Sequence, residues 1–208
     1  MKELIIIGAD IEIIELIVSI DRYTIIGIID KNLSGKYYDF NILGNDDFLL
    51  VNKDKYLSAG LAITLDDVII KAKLYERFKS HGFLFPKLIS PKAIISKYAT
   101  LRDGVLIQNG VNIGPNASIG ILSKINVNAN IMHDGILGDF NTVAPNAVTL
   151  GYIETGYNVF IGANATILPH CKIGNNIVIG AGAVVTKNLE SGFIYSGCPA
   201  KMLKPINS

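Results

Sequence analysis

The sequence predicts a small Rossmann-like α/β domain followed by a parallel β-helix of hexapeptide repeats. Three observations carry this reading. An aliphatic strand, a turn and a helix open the chain. Large aliphatic residues then recur at every sixth position from Ile89 to Val185, and small or apolar residues stand four places after them. The 208 residues are long enough for two small domains, and at 50% hydrophobic content they can bury a substantial core.

In the first part, Leu4 to Ile7 reads as a short strand, Gly8-Ala9 as a turn and Ile11 to Ile20 as a helix. A second strand, Thr24 to Ile29, ends at Asp30. Asn45-Asp46-Asp47 caps a short helix, Tyr56 to Ile63 gives a third strand, and Asp66 or Asp67 caps a helix that runs through Phe78 and stops near Gly82. Parallel strands separated by helices make a doubly wound sheet, with ligands favoured beyond the carboxyl ends of the strands. This domain is expected over residues 1–84, and the second over 85–208.

In the second part the period is six. From Ile89, fifteen of the seventeen hexad positions are aliphatic, the exceptions being Thr149 and Thr155, and no insertion breaks the count. Of the positions four places on, Asn141 alone is neither small nor apolar. A helix repeats apolar positions every three or four residues and a strand every two, so the period fits neither. It fits a solenoid in which three hexads make one triangular coil, the large aliphatic fills the inside and the small residue lets the corner close. Glycines after many of the aliphatics, such as Gly114, Gly120 and Gly138, suit corners where a Cβ would be unfavourable.

Charge and composition narrow the function. Nineteen basic against eighteen acidic residues leave a net charge of +1, so no global field is available for a nucleic-acid backbone or an anionic membrane. Asp10, Glu12 and Glu15 interrupt the isoleucine-rich N-terminus and no cleavage site follows, so neither a signal peptide nor a membrane helix is expected and the reading is cytoplasmic. Cys171 and Cys198 are too few for a disulfide framework and read as thiols. Three histidines without a close pair do not make a metal site.

His133 is the third residue of its hexad, counted from Ile131, and should point outward beside Asp134. A histidine near neutral pKa suits removal of a proton from an attacking nucleophile, and an adjacent carboxylate raises its basicity and fixes its tautomer. His170, next to Pro169, reads as structural or solvated.

The segment Ile131-Met132-His133-Asp134-Gly135-Ile136-Leu137-Gly138-Asp139-Phe140, with Val143-Ala144-Pro145 and the tail Gly197-Cys198-Pro199-Ala200-Lys201, resembles the sialic acid O-acetyltransferase-like family of hexapeptide-repeat acyltransferases. That family includes nucleotide-amino-sugar N-acetyltransferases of bacterial surface-glycan pathways. The resemblance covers the whole chain. It implies a left-handed β-helix, acetyl-CoA as co-substrate, no metal, a homotrimer with sites between subunits, and His133 as general base tuned by Asp134. It also implies donor contacts at Thr142, Gly151, Ala163, Ala181 and Lys201, and acceptor contacts at Asp10, Ile11, Glu12, Asp30, Lys31 and Thr64.

The chain departs from the family pattern in three places. Thr142 stands where many relatives carry a second histidine. Gly8-Ala9-Asp10-Ile11-Glu12 replaces a glycine-rich turn followed by histidine, setting acidic side chains where a diphosphate would lie. Thr64 replaces the glycine ending the third strand. The function expected is acyl transfer to an amino or hydroxyl group of a sugar, nucleotide-linked. The alternatives are an amino acid or other small polar acceptor, and a non-catalytic trimeric scaffold.

Overall fold

The computed structural model describes residues 1–206, which divide into two compact units, Met1–Leu88 and the chain from Ile89 onward. The first unit contains β1 (Lys2–Ile7), α1 (Ile11–Ile20), β2 (Tyr23–Ile29), β3 (Lys36–Tyr37), β4 (Phe40–Gly44), α2 (Asp46–Val51), α3 (Lys53–Tyr56), β5 (Gly60–Ile63) and α4 (Val68–Ser80). Its sheet runs β3-β4-β2-β1-β5, parallel throughout except for the β3–β4 hairpin. Leu4, Ile5, Ile6 and Ile7 are buried in the centre, with Ile13 and Ile17 of α1 packed in the same core. That burial explains why β1 reads as an unbroken aliphatic run.

Two elements differ from expectation. The third central strand begins at Gly60 rather than Tyr56, because Lys53–Tyr56 form a helical turn that buries the Tyr56 ring 5.9 Å from Phe48. The β3–β4 hairpin was not predicted, since its first strand has only two residues, too few to show alternation. The short helix is capped by Asn45 and α4 by Asp67, each side-chain oxygen accepting a backbone N–H three residues on.

The second unit is a three-faced prism. Two-residue strands recur every six residues, and each pairs in parallel with the strand eighteen residues away, as in Ile113↔Ile131 and Ile131↔Thr149. Face one holds six strands from Ile94–Ile95 to Val184–Val185, and face two holds five from Thr100–Leu101 to Lys172–Ile173. Face three holds eight and closes with the antiparallel pair Phe193–Ser196 and Lys201–Pro205. The hexad aliphatics fill the axis, where Ile107, Ile119, Ile125, Ile131, Val143 and Ile161 are fully buried.

Two corner features maintain the stack. Every sixth residue from Gly104 to Gly182 has a positive φ, and most of these are Gly, Asn or Asp, the residues that tolerate the left-handed region. The glycines directly after the aliphatics serve a different need: a Cβ on Gly120 would lie 2.3 Å from the carbonyl carbon of Gly138 in the next coil.

Asn141, the exception in the small-residue series, is fully buried inside the prism. Its Oδ1 accepts the Val159 N–H at 2.6 Å, its Nδ2 donates to the Gly156 carbonyl at 3.1 Å, and its backbone N–H donates to Ser123 Oγ at 3.1 Å. Thr149 is also fully buried, and among the described residues its Oγ1 has no partner. A satisfied buried amide and an orphaned buried hydroxyl have opposite consequences. Asn141→Ala should lower stability by about 2 kcal/mol by stranding the Val159 N–H. Thr149→Val should raise it by up to about 1 kcal/mol, or roughly 2 to 4 °C in melting midpoint at fixed protein concentration.

Candidate active site

His133 and Asp134 occupy the edge between faces one and two, in the corner after Ile131. Ile131 is locked inside the prism, which directs His133 outward. Asp134 is one of the corner residues with positive φ, at 57°, a conformation an aspartate tolerates. The turn brings its Oδ2 to 2.9 Å from His133 Nδ1, while Asn116 Nδ2, one coil earlier, donates to Asp134 Oδ1 at 3.1 Å. The His133 imidazole first, and Asn116 second, hold the Asp134 carboxyl below its ordinary value of 3.8. A carboxylate at Nδ1 favours the tautomer with the proton there, leaving the Nε2 lone pair open.

The coil above shapes the space around the ring. A Cβ on Gly151 would lie 2.6 Å from His133 Cε1 and 2.8 Å from Nε2, so glycine at this position leaves room for the imidazole. Tyr152 presents its ring edge-on to His133, centroids 5.1 Å apart, and His170 stacks on Tyr152 at 5.0 Å with planes 4° from parallel. Tyr152 was missed in the sequence. Counting nineteen residues on from His133, one coil plus one position, would have found it.

The other residues expected at the donor site are distributed over the prism. Gly151 shares the edge of His133. Ala163 and Ala181 stack on the edge between faces three and one, where the Gly182 N–H donates to the Ala163 carbonyl at 2.8 Å. Thr142 and Lys201 belong to strands of face three, the face opposite the His133 edge.

Within the first unit, a cavity of about 120 Å³ opens beyond the carboxyl ends of β1 and β2, lined among others by Gly8, Asp30, Lys31, Asn32 and Asp46. Asp30 Oδ2 accepts the Ala9 N–H at 3.3 Å and Oδ1 the Asn32 N–H at 2.8 Å. Burial pushes the Asp46 carboxyl up. Asp10, Ile11, Glu12 and Thr64 are not among the lining residues. Asp10 caps α1, accepting the N–H groups of Glu12 at 2.9 Å and Ile13 at 3.4 Å. Thr64 is buried, and its Oγ1 lies 2.9 Å from the Gly8 carbonyl, bracing the turn. Among the described residues no group of three or more His, Cys, Asp or Glu side chains is placed to hold a metal ion, and no helix is long and apolar enough to cross a membrane.

A small parallel α/β unit and a hexad-stacked prism with an outward His-Asp pair on one edge define the class of hexapeptide-repeat β-helix folds. Residues 153–187 match the bacterial transferase hexapeptide (six repeats) model, and the prism is a left-handed parallel β-helix.

Three relatives refine this placement. GDP-perosamine N-acetyltransferase of Escherichia coli O157:H7 is 29% identical over 136 residues, 65% of this chain, and the match spans 60% of that relative's own length. A histidine-to-alanine variant of GDP-perosamine N-acetyl transferase from Caulobacter crescentus, solved with CoA and GDP-perosamine, is 26% identical, with a TM-score of 0.91 over 97% of both chains. The acetyltransferase domain of PglB from Neisseria gonorrhoeae FA1090, solved with acetyl coenzyme A, is 25% identical, with a TM-score of 0.91 over 97% of this chain and 99% of that one.

The Asp134 contact has a titration consequence. A depressed carboxyl pKa keeps the carboxylate, and so its contact with His133, in place as pH falls through the ordinary carboxylate range; the contact is lost only below it. In carboxyl-carbon NMR, His133→Ala should return the Asp134 titration upward, and by more than Asn116→Ala does.

Proposed function

We propose that this protein transfers an acetyl group from acetyl-CoA to an amino or hydroxyl group of a nucleotide-linked sugar, in surface-glycan biosynthesis, with His133 as general base. The observation that carries the reading is the outward His133-Asp134 pair, 2.9 Å apart, on a prism whose relatives over nearly the whole chain include acetyltransferases solved with CoA or acetyl coenzyme A. The proposal puts the protein in the cytoplasm, where acyl-CoA donors are made.

The chemistry follows from the tautomer. Nε2 accepts the proton of the acceptor's N–H or O–H as that atom attacks the thioester carbonyl carbon. The new C–N or C–O bond forms, the C–S bond breaks, and the proton returns from the imidazolium to the departing CoA sulfur. Asp134 stabilises the imidazolium and keeps the ring from turning over. No proton acceptor beyond His133 and no metal is required.

The distribution of the donor residues supports a homotrimer. Thr142 and Lys201 face away from the His133 edge, so they can serve a His133 centre only if a second copy presents its face three there. Ala163 and Ala181, on the edge between faces three and one, fit the same arrangement. Light scattering at micromolar concentration should give about three times the 22.5 kDa chain mass; a monomer with full activity would sink the shared-site reading.

A second acceptor class is favoured by one observation. The Asp10 carboxylate occupies the N–H groups at the start of α1 that a diphosphate would use, which suits an amino acid or other small polar acceptor. A CoA thiol-release assay comparing GDP-perosamine and other nucleotide-linked amino sugars with amino acids and simple polar amines separates the two. No release with any acceptor, together with no CoA binding by calorimetry, would leave only a scaffold.

His133→Ala should lower turnover by about 10² to 10⁴ while CoA affinity changes little. Asp134→Asn should have a smaller effect and move the acidic limb of the turnover profile to lower pH, because a neutral amide stabilises the imidazolium less. Retention of more than about a tenth of turnover by a folded His133→Ala protein would rule out general-base catalysis there.

A further inference from the structure

We propose that Tyr152, backed by the stacked ring of His170, is a positioning residue that fixes the imidazole plane of His133. The inference deepens the proposed function, resting on His133 as the base, but it stands on geometry of its own. Position 152 is one of the corner positions that require positive φ, and Tyr152 sits there at φ 61°. Asn116, Asn128, Asn146, Asn158, Asn164 and Asn176 occupy equivalent corners at no such cost. A bulky side chain in the left-handed region is strained by about 1 kcal/mol or more.

At Leu122, another bulky corner residue, burial of the side chain offsets that strain, since only 2% of it is exposed. Tyr152 is 50% exposed, so burial does not account for it. His170, the next residue in the same column, has φ 65° and is also exposed. Two strained, exposed rings therefore stand in one column, stacked on each other, and the nearer one touches the candidate base.

The contact supplies what the Asp134 hydrogen bond alone does not. A single Nδ1 to Oδ2 contact fixes one atom of the ring but leaves rotation about the line joining them. The Tyr152 ring, at 84° to the imidazole, is a wall against that rotation, and Gly151 supplies a floor with no side chain to push the ring away. The backbone carries the arrangement from coil to coil: the Tyr152 N–H donates to the His133 carbonyl at 3.2 Å, and the His170 N–H to the Gly151 carbonyl at 3.2 Å. Neither hydrogen bond uses a side chain, so the corner persists when either ring is replaced.

Asparagine is the replacement the corner itself prefers, which makes Tyr152→Asn a sharp test. A purely structural tyrosine would be reported by a lower melting midpoint or a changed mass in solution. A positioning tyrosine should instead give equal or higher stability, an unchanged assembly, and side-chain NMR in which the His133 ring keeps its Nδ1 proton but shows increased ring motion by carbon relaxation. With the acceptor identified by thiol release, turnover should fall about 10- to 100-fold, as expected for a misplaced reacting group, with the KM for acetyl-CoA within twofold of the parent. Tyr152→Phe should restore both the ring's immobility and the turnover, since the ring and not the hydroxyl makes the contact. His170→Asn should give a smaller change of the same kind.

A Tyr152→Asn protein whose His133 ring is as immobile as the parent's, or a Phe variant as impaired as the Asn one, would overturn the inference. The parent reading fails separately. If His133→Ala keeps its turnover, His133 is not the base, whereas a dead His133→Ala beside a fully active Tyr152→Asn removes only the role of Tyr152.

Discussion

The parallel backbone ladder between residues eighteen apart is the constraint on which the rest of this structure depends. It sets the vertical spacing of every coil and fixes which residues of each hexad point inward, which outward and which one enters the left-handed corner. Packing then follows from position, which is why isoleucine, valine and leucine recur at one phase and asparagine and glycine at another. The same ladder creates columns of outward side chains on each edge, and a column is the smallest unit in which this fold can place interacting groups. His133 gains Asp134 from its own corner, Asn116 from the coil below, and Gly151, Tyr152 and His170 from the coils above. None of these contacts except Asp134 is local in sequence.

The electrostatics of the edge are modest and well directed. Asp134 is partly exposed, and its preference for the charged form comes from hydrogen bonds to His133 and then Asn116, which outweigh the opposing effect of burial. A surface pair of this kind contributes little to folding. The stability resides inside, where aliphatic side chains fill the axis and Asn141 ties three successive coils together through Ser123, Gly156 and Val159.

How far the sequence could be read depended on period. The prism was legible because seventeen consecutive hexads leave no competing interpretation, and the outward direction of His133 followed from its place after Ile131. Asn141 stood out as an exception, but its bonding did not, because its partners lie fourteen to eighteen residues away along a path that only the coil defines. Tyr152 and His170 were hidden for the same reason, and so was the strain they share. In the first unit, helix caps at Asn45 and Asp67 were readable because an Asx residue acts on an N–H three positions on. The β3–β4 hairpin was not, since pairing between such short segments is set by tertiary contacts. Asp10 was legible as an acidic departure; that it closes the start of α1 by binding Glu12 and Ile13 required coordinates.

The uninterrupted hexad count also determines how such a protein can change length. Adding or removing a whole coil leaves every column in phase, like lengthening a spiral stair by one full turn. Inserting one residue into a strand would rotate each later side chain to the next role in the cycle, sending isoleucines outward and corner asparagines into the axis. Growth in units of eighteen residues is therefore cheap and growth by one is prohibitive, unless the extra chain leaves as a loop at a corner. Recombination between related prisms should accordingly succeed when the crossover points share a phase, carrying an entire edge, with whatever chemistry it bears, from one scaffold to another.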